Sequence, residues 1–200
     1  MRPFVSGLVL AAGGSTRLAQ PKQLLPFRGA TLLGWVMAQV SAATSLDEVI
    51  VVLGGVSAEI RTRVNLTAAT VVENPDFAQG CSSSYRVGVG AVDRRAAAVA
   101  VLLGDQPGVD GAVIDRVVEA WRRNQGQIVV ASYRDRPGHP IIFPRSLFDQ
   151  LAALKGDKAA WKILDAHPEW VHHADVDRLH PPDVNTWRDY EAALSFPPSS

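Results

Sequence analysis

The chain has 200 residues, of which 47% are hydrophobic, enough to form one compact domain with a substantial core. Its 20 basic and 20 acidic residues give a formal net charge of zero, and no long basic stretch indicates binding to polymeric nucleic acid. The single cysteine fits a reducing compartment, and no apolar run approaches the ~20 residues of a membrane span. We expect a cytoplasmic protein of one domain, residues 1–200, that binds neither nucleic acid polymers nor membranes and frays from about residue 196.

The hydrophobic pattern predicts strands that alternate with helices. Predicted strands cover residues 4–12, 48–53, 69–72, 97–103, 128–131, 140–143 and 170–173. Predicted helices cover residues 31–43, 58–64, 82–92, 111–123, 146–154, 158–166 and 186–194, with Thr31, Ser57 and Asp110 as helix-capping residues.

This alternation predicts βαβ units with right-handed crossovers, and therefore an α/β fold. The expected architecture has three layers, with a mostly parallel, Rossmann-like sheet between two layers of helices. Ligands in such sheets bind beyond the carboxyl ends of the strands. Residues 13–22, 73–84 and 104–107 should therefore meet at one edge of the sheet.

The segment LAAGGSTRLAQPK, residues 10–22, follows the first predicted strand. Its two glycines allow close approach to a ligand, and the amides of such a turn can bind an anion. Ser15 and Thr16 add hydroxyl donors, while Arg17 and Lys22 supply cations that suit a polyphosphate. Because no third glycine completes G-x-G-x-x-G or G-x-x-x-x-G-K-[ST], a dinucleotide-dependent oxidoreductase and a P-loop protein are less favoured. A solvated glycine-rich connection is the structural alternative.

Asp105 follows the strand predicted over residues 97–103, in the sequence LLGDQPG. A carboxylate that faces a polyphosphate is electrostatically unfavourable unless a cation lies between them, and Mg²⁺ typically bridges carboxylates and substrate phosphates. We therefore predict that Asp105 is a magnesium ligand. The alternative is that it caps a turn before Pro107.

Gly80 and the three serines after Cys81 lie at the predicted start of the helix over residues 82–92. The free amides and the positive dipole end of a helix favour an anion or the polar edge of a base. Simple N-capping by the serines explains the same pattern. The residues alone leave both alternatives open.

Residues 10–22 resemble the signature L-A-A-G-x-x-x-R-M-G-x-x-K of the MobA/MocA-like nucleotidyltransferases. This family includes the molybdenum cofactor guanylyl- and cytidylyltransferases and shares its fold with the sugar-phosphate nucleotidylyltransferases. Leu18 and Ala19 stand where the signature has Met and Gly, and the resemblance extends over nearly the whole chain. It implies catalytic roles for Arg17, Lys22 and Asp105. It also implies nucleotide binding by Leu10, Ala11, Ala12, Gly13, Gly14, Ser15, Thr16, Arg17, Lys22, Gly80, Ser82 and Ser83.

The family also supplies a second metal ligand from a late D-x-D-T-P-E-D-like segment, which here reads DVNTWRD over residues 183–189. The resemblance therefore implies that Asn185 binds the metal together with Asp105. Asp175 and Asp177 form an alternative paired-acid motif. We expect Asp189 to be a solvated helix residue.

Two further segments are similar to the cytidylyltransferase branch, GDQP at residues 104–107 and RPGHPIIF at residues 136–143. They imply an acceptor site formed by Gln106, Pro107, Gly138, His139 and Pro140. The segment LKGDK, residues 154–158, resembles L-x-G-D-x-G-A-R, but Trp161 replaces its arginine, so either Lys162 substitutes for that arginine or the acceptor differs.

The remaining thiol and imidazole groups are expected to play no chemical role. Cys81 should be a bystander, because phosphoryl transfer of this kind needs no thiol nucleophile. The spacing of the other histidines fits no standard zinc pattern, so we expect them at the surface; they are His167, His172, His173 and His180.

The resemblance implies a Mg²⁺-dependent enzyme that transfers a nucleoside monophosphate from CTP to the phosphate of the molybdopterin cofactor and releases pyrophosphate. A molybdenum hydroxylase or its chaperone would then receive the product. The alternatives are GTP as donor, another phosphorylated acceptor such as a sugar phosphate or phospho-acid, and a non-catalytic protein that binds and delivers nucleotide or cofactor.

Overall fold

The computed structural model describes residues 2–156 and 160–197. Its strands are β1 Val5–Ala11, β2 Pro26–Phe27, β3 Ala30–Thr31, β4 Glu48–Leu53, β5 Thr70–Glu73, β6 Ala98–Leu103, β7 Ile128–Tyr133, β8 Pro137–Pro144 and β9 Val171–Val176. Its helices are α1 Leu32–Ala42, α2 Ser57–Arg63, α3 Cys81–Gly90, α4 Gly111–Arg123, α5 Phe148–Ala153, α6 Trp161–Ala166 and α7 Trp187–Ser195. Among the residues described, no helix is both long and apolar enough to cross a membrane.

Seven strands form the central sheet, in the order β5-β4-β1-β6-β8-β7-β9, and β2 pairs with β3 beside it. Within the described chain, β8 runs antiparallel to its two neighbours, and the other pairings of this sheet are parallel. The mostly parallel α/β sheet expected from the sequence is confirmed. Because β1 lies at the centre of the parallel part, its carboxyl end is flanked by the loops that follow β4 and β6.

Every residue of β1 is buried, since helices cover both faces of the sheet. Side chains of a strand alternate between the faces, so Val9 belongs to the core cluster that includes Trp121 of α4, and Leu8 belongs to the cluster on the other face that includes Tyr85 of α3. A Cβ added to Gly88 of α3 would lie 2.5 Å from the Leu8 side chain. This close contact places α3, and therefore its N-terminus, directly against the sheet.

Two of the three predicted capping residues are confirmed. The Thr31 side chain accepts a hydrogen bond from the Gly34 amide, and the Asp110 side chain accepts one from the Val113 amide. The prediction for Ser57 is wrong, because Ser57 is the first residue of α2 and its hydroxyl donates to Glu73 Oε1 over 2.8 Å. A hydrogen bond across to the end of β5 has replaced the local cap.

Several predicted boundaries also differ from the structure. The strand predicted over residues 140–143 extends over Pro137–Pro144 because it pairs on both sides, and the helix predicted over 146–154 begins as a 3-10 turn, Arg145–Leu147. Residues 157–159, which include Asp157 and the predicted helix start at Lys158, lie outside the described residues. In the expected tail, the Phe196 carbonyl accepts a hydrogen bond from Arg28, and residues 198–200 are not described.

Candidate functional site

A cavity of about 690 Å³ opens at the carboxyl ends of β1 and β6. The loops after β1, β5 and β6 meet there, as the strand order predicts. Its lining consists of Leu10, Ala11, Ala12, Gly13, Gly14, Thr16, Lys22, Gln23, Phe77, Ala78, Gly80, Cys81, Ser84, Leu103, Gly104, Asp105, Asp183 and Asn185. Backbone-rich loops and polar side chains of both charges therefore share one concave surface.

Gln23 braces the loop that follows β1. Its buried side-chain amide donates to the carbonyls of Ala11 and Gly13, over 2.8 and 2.9 Å. The Ser15 hydroxyl accepts a hydrogen bond of 2.9 Å from the Lys22 amide. These contacts hold the loop in shape before a ligand binds. The sequence analysis missed Gln23, because a glutamine in a loop carries no pattern of its own.

Lys22 joins the two residues that the sequence proposes as metal ligands. Its ammonium donates to Asp105 Oδ2 over 2.5 Å and to Asn185 Oδ1 over 3.0 Å. The Lys22 and Asp105 side chains are only 12% and 17% exposed, so solvent screens this ion pair weakly. The three residues come from three separate segments of the chain.

Asp105 and Asn185 could also hold a divalent cation. Their oxygens already converge on one positive charge, that of Lys22, and carboxylate and amide oxygens are the donors that Mg²⁺ and Mn²⁺ accept. The described residues contain no group of three or more His, Cys, Asp or Glu side chains that could hold a metal by themselves. This donor set therefore suits a cation that completes its shell with substrate phosphates and water.

Asp183 is a second carboxylate in the cavity, and the sequence analysis gave it no role. Burial, and after it the neighbouring Asp105 carboxylate, raise its pKa to about 6 against the opposing effect of the Arg136 and Lys22 charges. One of its oxygens, Oδ1, is buried and has no hydrogen-bond partner among the described residues. The Asp183 carboxyl therefore takes up a proton at a higher pH than an ordinary aspartate, and the negative charge of the site falls as the pH drops through about 6.

The start of α7 holds Asn185 in place. Asp189 accepts hydrogen bonds from the amides of Asn185 and Thr186, over 3.2 and 2.8 Å, and the Thr186 hydroxyl accepts one from the Asp189 amide. The expectation that Asp189 is merely solvated is wrong, because its carboxylate completes this capping box. The Val184 amide donates to the Asp105 carbonyl over 2.9 Å, which ties this segment to the end of β6.

The alternative acids, Asp175 and Asp177, do not line the cavity. Both are exposed, and Asp177 forms a surface ion pair with Arg134 over 2.7 Å. Arg17 is exposed and is also absent from the cavity lining.

At the N-terminus of α3, Gly80, Cys81 and Ser84 line the cavity, whereas Ser82 and Ser83 do not. Ser82 and Ser83 are buried, and the Ser83 hydroxyl donates to the Gly80 carbonyl over 2.8 Å. Asn74 donates to the Ser83 and Ser84 hydroxyls over 2.8 and 3.0 Å. Ser83 therefore stabilises the turn, and the helix presents Gly80, Cys81 and Ser84 to the cavity.

None of the proposed acceptor residues lines the cavity; they are Gln106, Pro107, Gly138, His139 and Pro140. Gln106 is 1% exposed and donates to the Pro181 carbonyl over 3.3 Å. His139 is also buried, with its ring edge-on to Trp161. Burial lowers the pKa of His139 to about 3, so the ring is neutral at physiological pH.

His180 is not a surface residue, so its prediction is wrong. It is half-buried, its Nε2 lies 3.3 Å from Gln106 Nε2, and its Nδ1 lies 2.9 Å from an Arg136 nitrogen. Its ring packs edge-on against Tyr133. Burial lowers its pKa, and the Arg136 charge lowers it further. Contacts between loops, which the spacing of histidines along the chain cannot reveal, place it here.

A mostly parallel sheet with a glycine-rich loop, a helix N-terminus and a lysine-bound carboxylate at one edge defines an α/β protein built to bind a nucleotide's phosphates. The chain belongs to the MobA-like NTP transferase domain family, whose model matches residues 7–172. This is a nucleotidyltransferase family, and the family expected from the sequence is confirmed.

The names of two relatives indicate different kinds of reaction. The chain is 33% identical over 198 residues to nicotine blue oxidoreductase of Paenarthrobacter nicotinovorans, which covers 94% of this chain and 93% of the relative. It is 29% identical over 136 residues to the molybdenum cofactor cytidylyltransferase of Escherichia coli, covering 68% and 67% of the two chains.

Solved structures support the fold and bear on the metal. The structure of Rv0371c from Mycobacterium tuberculosis matches with a TM-score of 0.91 and 38% identity, over 98% of this chain and all of that one. A manganese complex of the same protein matches with a TM-score of 0.85 and 37% identity, over 96% and 98% of the two chains. A nucleotidyl transferase from Methanothermobacter, at 23% identity and a TM-score of 0.77 over 94% of both chains, shares the fold.

Proposed function

We propose that this protein is a Mg²⁺-dependent nucleotidyltransferase that transfers a nucleoside monophosphate, from CTP, to the phosphate of the molybdopterin cofactor. The observation that carries the proposal is the contact of Lys22 with both Asp105 and Asn185, inside a cavity lined by the glycine-rich loop. Such a combination of cations and oxygen ligands suits a nucleoside triphosphate and its metal.

Asp105 and Asn185 would hold the magnesium ion, which would supply charge neutralisation at the phosphates when bound. Amides of residues 13–16 would bind phosphate oxygens, because successive amides in such a turn form an anion-binding concavity. Lys22 would offset the negative charge of the triphosphate and of the departing pyrophosphate. Arg17, although exposed, is on the same loop and would add a second cation as the phosphates enter.

In the reaction, an oxygen of the acceptor phosphate attacks the α-phosphorus of the nucleotide. A new P–O bond forms, the bond between the α-phosphorus and the bridging oxygen breaks, and pyrophosphate leaves. A phosphate monoester is already mostly dianionic at neutral pH, since its second pKa is near ~6. The attack therefore needs no general base, and catalysis depends on positioning and charge neutralisation.

The acceptor assignment draws on the cytidylyltransferase of Escherichia coli, a relative at 29% identity. Gln106 and His139 would contribute to the acceptor side as neutral polar groups; both are buried, and Gln106 directly follows Asp105. A molybdenum hydroxylase or its chaperone would receive the product in the cytoplasm. GTP as donor, or a sugar phosphate or phospho-acid as acceptor, would keep the same chemistry with a different specificity.

The test measures pyrophosphate release by the purified chain with Mg²⁺, each of the four ribonucleoside triphosphates and the molybdopterin cofactor. We expect release with CTP, and a loss of at least about 100-fold in Asp105→Asn because an electrostatic contact to the reacting phosphates is removed. Asp177→Asn is the matched control, since it removes an exposed aspartate outside the cavity and should keep wild-type activity.

Release with another nucleotide would change the base assignment and keep the reaction class. Nucleotide binding without release, for every acceptor, would favour a protein that binds and delivers nucleotide or cofactor. Equal activity in Asp105→Asn and Asp177→Asn would refute the proposed site.

An oxidoreductase is the second candidate, because a relative 33% identical over 94% of this chain is named nicotine blue oxidoreductase. This activity needs a hydride or electron donor, and the test is oxidation of reduced nicotinamide dinucleotide in the presence of nicotine blue. We expect no such oxidation, because the loop after β1 lacks the third glycine of the dinucleotide motif. If the oxidation depends on this chain, the oxidoreductase becomes the favoured function and the nucleotidyltransferase the second candidate.

A further inference from the structure

The ammonium of Lys22 contacts the same two oxygens that the proposed function gives to a metal ion. It lies 2.5 Å from Asp105 Oδ2 and 3.0 Å from Asn185 Oδ1. A divalent cation on these oxygens would lie within a few ångströms of the ammonium, and like charges at such a distance repel strongly. The cation and the ammonium therefore cannot both keep these contacts.

We propose that Lys22 competes with the divalent cation for Asp105 and Asn185, and that a nucleoside triphosphate relieves this competition by drawing the ammonium onto its phosphate oxygens. The inference rests on the proposed function. It goes further, because it assigns the lysine a role before the nucleotide arrives. Metal and nucleotide should then bind with positive coupling, and by reciprocity each should increase the affinity of the other by the same factor.

The surroundings of Lys22 allow this exchange. Its backbone amide is fixed by the Ser15 hydroxyl over 2.9 Å, so the movement is confined to the flexible side chain. That side chain runs along the glycine-rich loop, since a Cβ on Gly13 would lie 3.6 Å from Lys22 Cε and 4.0 Å from Nζ. The ammonium is therefore already beside the amides proposed to bind phosphate.

Asn185 makes the competition effective. Asp105 and Lys22 form a neutral pair, and the amide of Asn185 adds an oxygen without adding charge. A cation that displaces Lys22 therefore places two positive charges beside the released ammonium, which costs free energy because Asp183 is the one further carboxylate among the described lining residues. A triphosphate removes this cost, because it brings several negative oxygens to pair with the released ammonium.

The experiment measures Mn²⁺ affinity, from the free-ion paramagnetic resonance signal, with and without a non-hydrolysable CTP analogue. The variants are Lys22→Gln and Arg17→Gln, which remove the same charge from the same loop. Of these two residues, Lys22 contacts Asp105 and Asn185, whereas Arg17 does not line the cavity. We expect Lys22→Gln to raise the affinity for Mn²⁺ alone by about tenfold and to reduce its coupling to the analogue by a similar factor, within the usual range of such couplings. Arg17→Gln should change the affinity for Mn²⁺ alone by less than about threefold, the effect of a screened charge.

Equal effects in the two variants, or a lower affinity for Mn²⁺ in Lys22→Gln, would overturn the competition. Asp105→Asn separates this failure from that of the proposed function. If its Mn²⁺ affinity in the presence of the analogue equals that of the wild type, the proposed metal site is wrong and the inference falls with it. If Asp105→Asn loses Mn²⁺ while the two loop variants behave alike, only the role of Lys22 is refuted.

A second measurement uses the wild-type chain and does not depend on the folding of a variant. The rate of Lys22 acetylation by a small reagent is followed by mass spectrometry, with Lys162 as an exposed internal reference. Mn²⁺ alone should accelerate labelling of Lys22 at least about threefold by releasing its ammonium, and the CTP analogue should slow it again. If Mn²⁺ leaves the rate unchanged at concentrations that saturate the site, the ammonium is not displaced and the proposal fails.

Discussion

Ala19 carries strain in the loop after β1. Its φ of 56° lies in the left-handed region, where a Cβ costs roughly 1 kcal/mol, and the family signature has glycine at this position. We expect Ala19→Gly to raise the free energy of unfolding by about 0.5–1 kcal/mol, because the released strain exceeds the entropy that glycine loses on folding. Urea denaturation at pH 7.5 measures this change.

Ala192 is the control for this substitution, because it is exposed in the middle of α7. The same change, Ala192→Gly, should lower the free energy of unfolding by about 1 kcal/mol through lost helix propensity. Opposite signs for the two variants support the strain at Ala19. A loss of stability in both would contradict it.

His139 should make the stability of the protein depend on pH. Burial lowers its pKa from 6.5 to about 3 in the folded chain, so below pH 6.5 the unfolded chain binds a proton that the folded chain rejects. Its contribution is complete above pH 6.5 and is lost as the pH falls toward 3. Between pH 7 and pH 5 this residue should cost about 1–2 kcal/mol of unfolding free energy.

In His139→Gln this part of the pH dependence should disappear, whatever the stability of the variant at pH 7. Urea denaturation at both pH values gives the difference within each variant. His173→Gln removes an exposed imidazole on β9 and should retain the wild-type dependence. If the unfolding free energy of His139→Gln falls between pH 7 and pH 5 by as much as that of the wild type, the imidazole of His139 takes up its proton in the folded chain as well as in the unfolded chain.

At the scale of elements, hydrophobic periodicity was sufficient to predict most of the fold. The helix at Gly111–Arg123 and the strand at Glu48–Leu53 have the predicted bounds. The predictions are wrong where a hydrogen bond to a residue outside its own helix determines the role of a side chain. Ser57 bonds to Glu73 instead of capping its helix, and Asp189 caps α7 instead of facing solvent. When a polar side chain has two available hydrogen-bond partners, the hydrophobic periodicity of the sequence does not show which of them it will bond to.

The cap of α7 should affect both stability and ligand binding. Thr186→Ala removes the hydroxyl that accepts from the Asp189 amide over 3.2 Å and should cost about 1 kcal/mol of unfolding free energy. Because Asp189 also holds the Asn185 amide, we expect Mn²⁺ affinity in the presence of a CTP analogue to fall by about threefold or more. Denaturation and metal titration measure the two effects.

Thr31→Ala is the matched control, because the Thr31 hydroxyl caps α1 through the Gly34 amide over 3.1 Å and Thr31 does not line the cavity. It should cost a similar free energy of unfolding and leave Mn²⁺ affinity unchanged. If both variants lose Mn²⁺ equally, global loosening, and not the position of Asn185, explains the effect.

On the scale of the whole molecule, the sheet brings together residues that the sequence separates widely. Lys22 is 83 residues from Asp105 and 163 residues from Asn185. Strand order predicted that the loops after β1 and β6 would meet, so the sequence could identify Lys22 and Asp105 as neighbours of one ligand. Their direct contact, the burial of Asp183 and the inward position of His180 depend on the packing of the segment between β9 and α7. That segment has no regular pattern from which its path could be predicted.

Because the site joins both ends of the chain, ligand binding should stabilise the whole fold. A ligand at 100 times its Kd adds about 2.7 kcal/mol to the free energy of unfolding, and for a chain of this length each kcal/mol raises Tm by roughly 2–4 °C. Mn²⁺ with the preferred non-hydrolysable triphosphate analogue should therefore raise Tm by about 5–10 °C, while Mn²⁺ alone should have a much smaller effect, since Lys22 holds the metal ligands.

Scanning calorimetry with analogues of the four nucleotides gives the base preference. Asp105→Asn is the control, and its shift, measured relative to the Tm of the unliganded variant, should be much smaller than that of the wild type. A full shift with Mn²⁺ alone would contradict the competition by Lys22, and an undiminished shift in Asp105→Asn would place the metal site elsewhere in the protein.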